Sequence, residues 1–193
     1  ESIPITHLCD IVGEMFSDDA ADVLGHVSAA RLREIMSGMP PEEAGQIRDL
    51  LKYPEDTAGG IMQTEVVSVP EDASIAEALA LLRREEEELP NGIFYIYVTD
   101  AERRLRGVLR VRDLLFSPSS LKIRDIMVTE VRAVSVHADQ EEIARLYRAY
   151  GFSAIPVVDD FQRLCGVVTA DDVLDVVELA DGARTAWLQH AVI

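Results

Sequence analysis

Ile61-Met62-Gln63-Thr64-Glu65-Val66 returns as Ile126-Met127-Val128-Thr129-Glu130-Val131, at an offset of 65 in the numbering. A second pair of segments keeps step with it. Arg104-Leu105-Arg106-Gly107-Val108 returns as Arg163-Leu164-Cys165-Gly166-Val167, at an offset of 59. Self-similarity at a fixed offset is the mark of a duplicated supersecondary unit and is a firmer guide to fold than local propensity. The difference of 6 between the offsets places extra length in the first copy, around Glu85 to Gly92. There Glu85-Glu86-Glu87-Glu88 runs into Pro90-Asn91-Gly92, a loop signal. By itself the acidic run reads as a solvated helix end.

Within the first copy, β-branched runs alternate with a helical pattern. Val66–Val69, Ile75–Arg84, Phe94–Val98 and Leu105–Arg110 give the order β-α-β-β, followed by a helix. Each copy closes on Gly, a few β-formers, and an Asp at a helix start. These are Gly107-Val108-Leu109-Arg110-Val111-Arg112-Asp113 and Gly166-Val167-Val168-Thr169-Ala170-Asp171-Asp172.

Upstream of the repeat, the stretch Glu1–Asp56 reads as helices. Leu8, Ile11, Val12, Met15 and Phe16 recur at helical spacing. Ser17 is a predicted N-cap before Asp18-Asp19-Ala20-Ala21. A helix over Ala29–Met36 stops at Gly38 and Pro40, and Pro41-Glu42-Glu43 opens another through Leu51. The two acidic starts, Ser17-Asp18-Asp19-Ala20-Ala21 and Pro40-Pro41-Glu42-Glu43-Ala44, echo one another and predict stacked short helices.

Charge narrows the function classes. The 193 residues carry 35 Asp+Glu against 18 Lys+Arg, a net charge of -17. Phosphate backbones and anionic membranes need clustered cations, so nucleic acid is not an expected partner. The longest apolar run, Ile93–Val98, is far short of the roughly 20 residues of a membrane span, and the N-terminal stretch lacks the basic start of a signal peptide. Without an initial Met, the chain reads as a fragment. Cys9 and Cys165 lie in no metal or disulfide spacing and fit a reducing compartment. No Ser-His-Asp or Cys-His arrangement is present, and His7, His26, His137 and His190 stand in unrelated contexts. A non-enzymatic role is expected.

The duplicated pattern resembles a tandem CBS-domain pair (a Bateman module), best in Ile126-Met127, Ile155-Pro156-Val157-Val158-Asp159 and Gly166-Val167-Val168-Thr169-Ala170-Asp171-Asp172. The junction Tyr53-Pro54-Glu55-Asp56-Thr57-Ala58-Gly59-Gly60-Ile61-Met62 is similar to that of the MgtE magnesium transporters and channels. In that family a helical N domain feeds a CBS pair, which feeds a transmembrane domain. The resemblance implies an α-helical N-terminal domain plus an α+β (α/β) tandem CBS pair. The expected divisions are a helical N domain over 1–56, CBS domains over 57–118 and 119–178, and an exit segment over 179–193. It also implies a cytosolic Mg²⁺-sensing region at the inner membrane face, a homodimer, and a transmembrane pore domain as partner.

Carried over position by position, the resemblance implies Mg²⁺ ligands at Asp18, Asp22, the Gly60 carbonyl, Asp139, Glu141, Asp172 and Asp175. Asp18 and Asp22 lie four apart on one helix face. From the residues alone, acids at a helix start also answer the macrodipole, and that reading stays open for all of these carboxylates. The chain departs from the family at Gly151, where a carboxylate is expected before Phe152, and at Ala180, Ala183 and Arg184, which replace exit-helix acids. Trp187 stands beyond them in a short amphipathic stretch.

The same resemblance implies an adenine-nucleotide cleft, with ATP as ligand, at Tyr95, Arg112, Asp113 and Phe152. The alternative is a core Tyr and Phe beside a solvated Arg-Asp pair. Arg110 stands where CBS motifs carry Ser or Thr. The competing function is therefore a stand-alone adenine-nucleotide sensor. Residues 1–60 hold 12 acidic and 4 basic residues, and the remainder 23 and 14. Two acidic bodies repel when pressed together, and divalent ions between them would turn repulsion into bridging.

Overall fold

The computed structural model describes residues 4–84, 95–170 and 172–173. The acidic run 85–88, Asp175 and the exit segment 179–193 with Trp187 lie outside the described residues.

Four short helices come first: α1 (Ile5–Gly13), α2 (Ser17–Gly25), α3 (Ala29–Gly38) and α4 (Pro41–Leu50). Each is shorter than the roughly 12–15 residues a helix needs to persist alone in water, so packing holds them. α1 lies on α3 and α2 on α4. Ser28 caps α3 by accepting the Arg31 N–H at 3.3 Å. Pro41 opens α4 with Glu42 and Glu43 in its first turn. The expected N-cap of α2 is corrected: Phe16 occupies that position, and Ser17 is the first helical residue. Its hydroxyl is engaged by another part of the chain.

The repeat follows the predicted order. The first copy holds β1 (Ser68–Pro70), α5 (Ile75–Arg84), β2 (Tyr95–Thr99), β3 (Leu105–Arg110) and α6 (Val111–Phe116). The second holds β4 (Val134–Ser135), α7 (Gln140–Tyr150), β5 (Ala154–Val158) and β6 (Leu164–Thr169). Each copy makes a three-stranded sheet in sequence order. Its first pair is parallel and its second antiparallel. A parallel pair needs a crossover, supplied by α5 and α7. The first strand is shorter than the Val66–Val69 run. Val66 N–H bonds the Thr64 carbonyl at 2.9 Å in a tight turn that keeps the run's start out of the ladder, and Val131 does the same with Thr129 at 3.0 Å.

The copies exchange their lead-in segments. Gln63 pairs with Val167 of β6, and Val128 pairs with Val108 of β3. These are one bridge repeated, because 63 and 128 correspond, as do 108 and 167. Thr57 pairs with Asp139 and Lys122 with Ser74 by the same relation. Glycine makes the close approach possible: a Cβ at Gly166 would run into the Gln63 carbonyl, and one at Gly107 would lie 2.7 Å from Met127 Sδ. The hairpins also meet directly, Leu105 N–H on Gln162 O at 2.9 Å and Leu164 N–H on Arg103 O at 3.0 Å.

The exchange decides how the cores divide. One core belongs to the first copy, around Val69, Ile75, Ile96, Leu109, Leu114 and Ile123. The other is shared by the helical domain and the second copy. Leu24, Ile35 and Leu50 join Met62, Ile143 and Ile155 in it. The helical domain is thereby seated on the second copy, with α2 facing the lead-in strand.

Candidate functional site

The first turn of α2 is where the two bodies meet. Ser17 and Asp18 are 3% and 6% exposed, rare burial for such residues. The Ser17 hydroxyl donates to Glu65 Oε2 at 2.9 Å. It accepts the Thr64 N–H at 2.9 Å and the Thr64 Oγ1–H at 3.0 Å. Asp18 sits one residue further along, beside Gln63 and Asp172. Its Oδ1 is buried with no hydrogen-bond partner among the described residues. Burial first, and the Asp172 carboxylate second, push the Asp18 carboxyl up to about 7.

Asp172 is fixed from its own side. Its Oδ2 accepts the Thr169 N–H at 2.9 Å and the Thr169 Oγ1–H at 2.6 Å, so the turn out of strand β6 holds that carboxylate in place. Two carboxylates from distant parts of the chain thus lie near enough to repel, one with an unsatisfied buried oxygen. An isolated buried negative charge is costly unless it is protonated or meets a cation. Hard oxygens suit Mg²⁺, which keeps several waters and needs only one or two carboxylates, so the pair fits the ion. Among the described residues no group of three or more His, Cys, Asp or Glu converges as a metal cluster.

Asp22, one turn on, opens onto a different place. A cavity of about 330 Å³ lies between α2, α4 and the junction, lined by Asp22, Glu55, Gly60 and Tyr53 with Leu24 and Leu50. Burial, then the Glu55 carboxylate, raise the Asp22 carboxyl above its ordinary range. Gly60 is there because a Cβ would strike the Pro54 carbonyl. Asp22 and Gly60, both expected ligands, are brought together, and Glu55 joins them.

Asp139 and Glu141 do not line that cavity, although the Asp139 backbone pairs with Thr57 of the junction. Asp139 Oδ1 accepts the Glu142 N–H at 2.7 Å as the N-cap of α7. Its counterpart in the first copy is Ser74, which shares a capping box with Glu77 at 2.6–3.2 Å. The position is filled by a capping residue in both copies, which is sufficient reason for an acid there. Glu141 is exposed in the first turn of the same helix.

The expected nucleotide residues gather in part. Tyr95 opens β2 directly opposite Arg110 at the end of β3. The Arg110 guanidinium donates from Nε and Nη2 to the two oxygens of Asp113, at 2.7 and 3.1 Å. That pairing holds the Asp113 carboxyl below its ordinary range. Arg112 is exposed beside it. Phe152 comes from the second copy, half-buried against the shared core and stacked on Tyr150 with centroids 5.4 Å apart. Arg132 lies 4.2 Å over the Tyr150 ring. Ala154, two positions after Phe152, joins Tyr95 in the apolar cluster between the sheets.

Sequence reasoning left out Ser17 as an interdomain contact, Gln63, Glu55 and the Arg110–Asp113 pair. Nothing in local spacing marks Ser17 or Gln63, because both act through the way α2 is seated. Glu55 was visible only as part of the junction motif.

Comparison with known proteins places these sites in context. The MgtE intracellular N domain matches residues 1–56, and the CBS domain matches residues 58–119 and 123–179. The magnesium transporter MgtE of Thermus thermophilus is 42% identical over 164 residues, 83% of this chain and 36% of that protein. The chain spans about a third of the length of the curated relatives it matches. The crystal structure of the soluble part of a magnesium transporter superposes with a TM-score of 0.85 at 36% identity, covering 93% of this chain and 70% of that one. The cytosolic domain of the Mg²⁺ channel MgtE in complex with ATP gives 0.83 at 40%, covering 90% and 71%.

Proposed function

The chain belongs to the MgtE family, as an intracellular N domain joined to a tandem CBS pair, and from that premise we propose that it is the cytosolic Mg²⁺-sensing region of a magnesium transporter or channel. One observation carries the reading: Asp18 of the N domain, buried with an unpartnered oxygen, feels the carboxylate of Asp172 from the second CBS copy. Mg²⁺ between them would replace repulsion by bridging and favour the docked arrangement. Metal that binds one arrangement better than another shifts the population by that difference and no more. Asp22, Glu55 and the Gly60 carbonyl are a second proposed place for an ion, at the junction. Asp139 and Glu141 enter the proposal only for an ion shared with another subunit of a homodimer. When Mg²⁺ is scarce the acidic N domain is released, and that motion is relayed to a transmembrane pore domain that conducts the ion.

Small-angle scattering over a MgCl₂ titration, with CaCl₂ and NaCl controls, tests this. A saturable contraction that EDTA reverses and NaCl does not reproduce is expected. A radius of gyration unchanged from EDTA to saturating Mg²⁺ would overturn it.

A second ligand is favoured by the ATP complex of the similar structure and by the grouping of Tyr95, Arg112 and Asp113. We propose an adenine nucleotide there, with Tyr95 and Phe152 against the base, Asp113 on the ribose and Arg112 toward phosphate. Isothermal titration with ATP, ADP and AMP tests it, and absence of heat with all three counts against it.

A further inference from the structure

We infer that Ser17 is a positioning residue: a hydrogen-bond latch that seats the helical domain on the lead-in segment and thereby holds Asp18 within reach of the Asp172 charge. The inference rests on the sensing role proposed for Asp18, but the latch itself needs no ion. The Ser17 hydroxyl uses its full capacity, donating once to Glu65 and accepting twice from Thr64. All three bonds cross from the helical domain to the lead-in strand. Ser17 is 3% exposed, so undocking would leave the Thr64 donors to water and docking without them would strand polar groups. Immediately before Thr64, Gln63 holds the register with Val167 of β6, and β6 leads to Asp172. Ser17 is therefore tied by a short covalent and hydrogen-bonded route to both carboxylates.

The duplication supplies an internal comparison. Thr64 and Glu65 recur as Thr129 and Glu130, in the same tight turn. Among the described residues no helical domain covers the second pair, and both are exposed. The motif does not need a serine in order to fold. In the first copy it has been recruited by one.

The test is scattering on the full chain across a Mg²⁺ titration, alongside thermal unfolding, for wild type, Ser17→Ala, Thr64→Val and Thr129→Val. Ser17→Ala is expected to enlarge the metal-free particle and to raise the Mg²⁺ midpoint for contraction about tenfold, the effect of removing roughly one buried hydrogen bond's worth of bias. Thr64→Val keeps volume and the backbone bond, so a smaller shift in the same direction is expected. Thr129→Val is expected to leave the midpoint where it is. Should Ser17→Ala fail to fold, Thr64→Val decides the matter. If both variants lower the melting temperature yet follow the wild-type midpoint, Ser17 is only a packing residue and the inference is overturned, while the sensing role stands. If wild type ignores Mg²⁺ but Ser17→Ala still expands, the latch stands and the sensing role falls. If neither variant nor ion changes the particle, both fall.

Discussion

The Asp172 carboxylate, just beyond β6, acts on the Asp18 carboxyl of α2 across the seam between the helical domain and the second CBS copy and raises it. One Asp18 oxygen is buried without a partner among the described residues, and burial and the Asp172 charge both disfavour its ionised form. The seam thus carries a charge it is not built to keep bare.

Asp18 makes stability depend on pH with a definite sign. Its folded value of about 7 lies above the ordinary 3.8, so the folded protein holds a proton that the unfolded chain has released. In metal-free protein the stabilising contribution is full below about pH 4 and is lost as pH rises through about 7. The span is roughly 2–4 kcal/mol. Asp18→Asn is expected to flatten that stretch of the profile, to stabilise the metal-free protein above pH 7, and to weaken the Mg²⁺-induced contraction. Urea unfolding from pH 4 to 8 in EDTA, with scattering in Mg²⁺, reads all three. A wild-type profile that rises with pH across the window would refute the assignment.

Asp139 should behave as a cap. Asp139→Ala is expected to destabilise by about 1 kcal/mol, and Asp139→Asn or Asp139→Ser to restore most of it, as capping residues do. The Mg²⁺ midpoint for docking within one chain should not move. A midpoint shift in the serine variant would instead place Asp139 among the metal ligands.

Gly166 fixes the exchange of lead-in segments. A Cβ there would press on the Gln63 carbonyl, so Gly166→Ala must displace the strand or break its pairing with Val167. A loss of about 1–3 kcal/mol is expected from such overpacking. Denaturant unfolding measures it, and a neutral outcome would mean that the strand slides without cost.

Asp113 is already engaged by Arg110 before any ligand arrives. If Asp113 takes the ribose, Asp113→Ala is expected to weaken ATP about tenfold, the worth of a hydrogen bond to a charged group. Arg110→Ser removes the competitor and is expected to tighten binding several-fold. Calorimetry separates the two, and an Asp113→Ala affinity equal to wild type would move the ribose elsewhere.

Several of these features could be read from the sequence alone. The two offsets, 65 and 59, determined that there are two equivalent units, and the β-α-β-β-α order of the first followed from where β-branched runs give way to helical spacing. These are local properties: strand and helix periods are written residue by residue, and a duplication repeats them. The acids at helix starts were visible too, but their meaning was not. Asp139 and Asp18 look alike in sequence, each beside a first helical turn. The fold makes one a solvent-facing cap and buries the other. That difference depends on the exchanged strands, which put Gln63 on β6 and gather the helical domain and second copy into one core. Burial is a property of what arrives from elsewhere in the chain, so only tertiary structure could bring Asp18 to Asp172 and give Ser17 its partners.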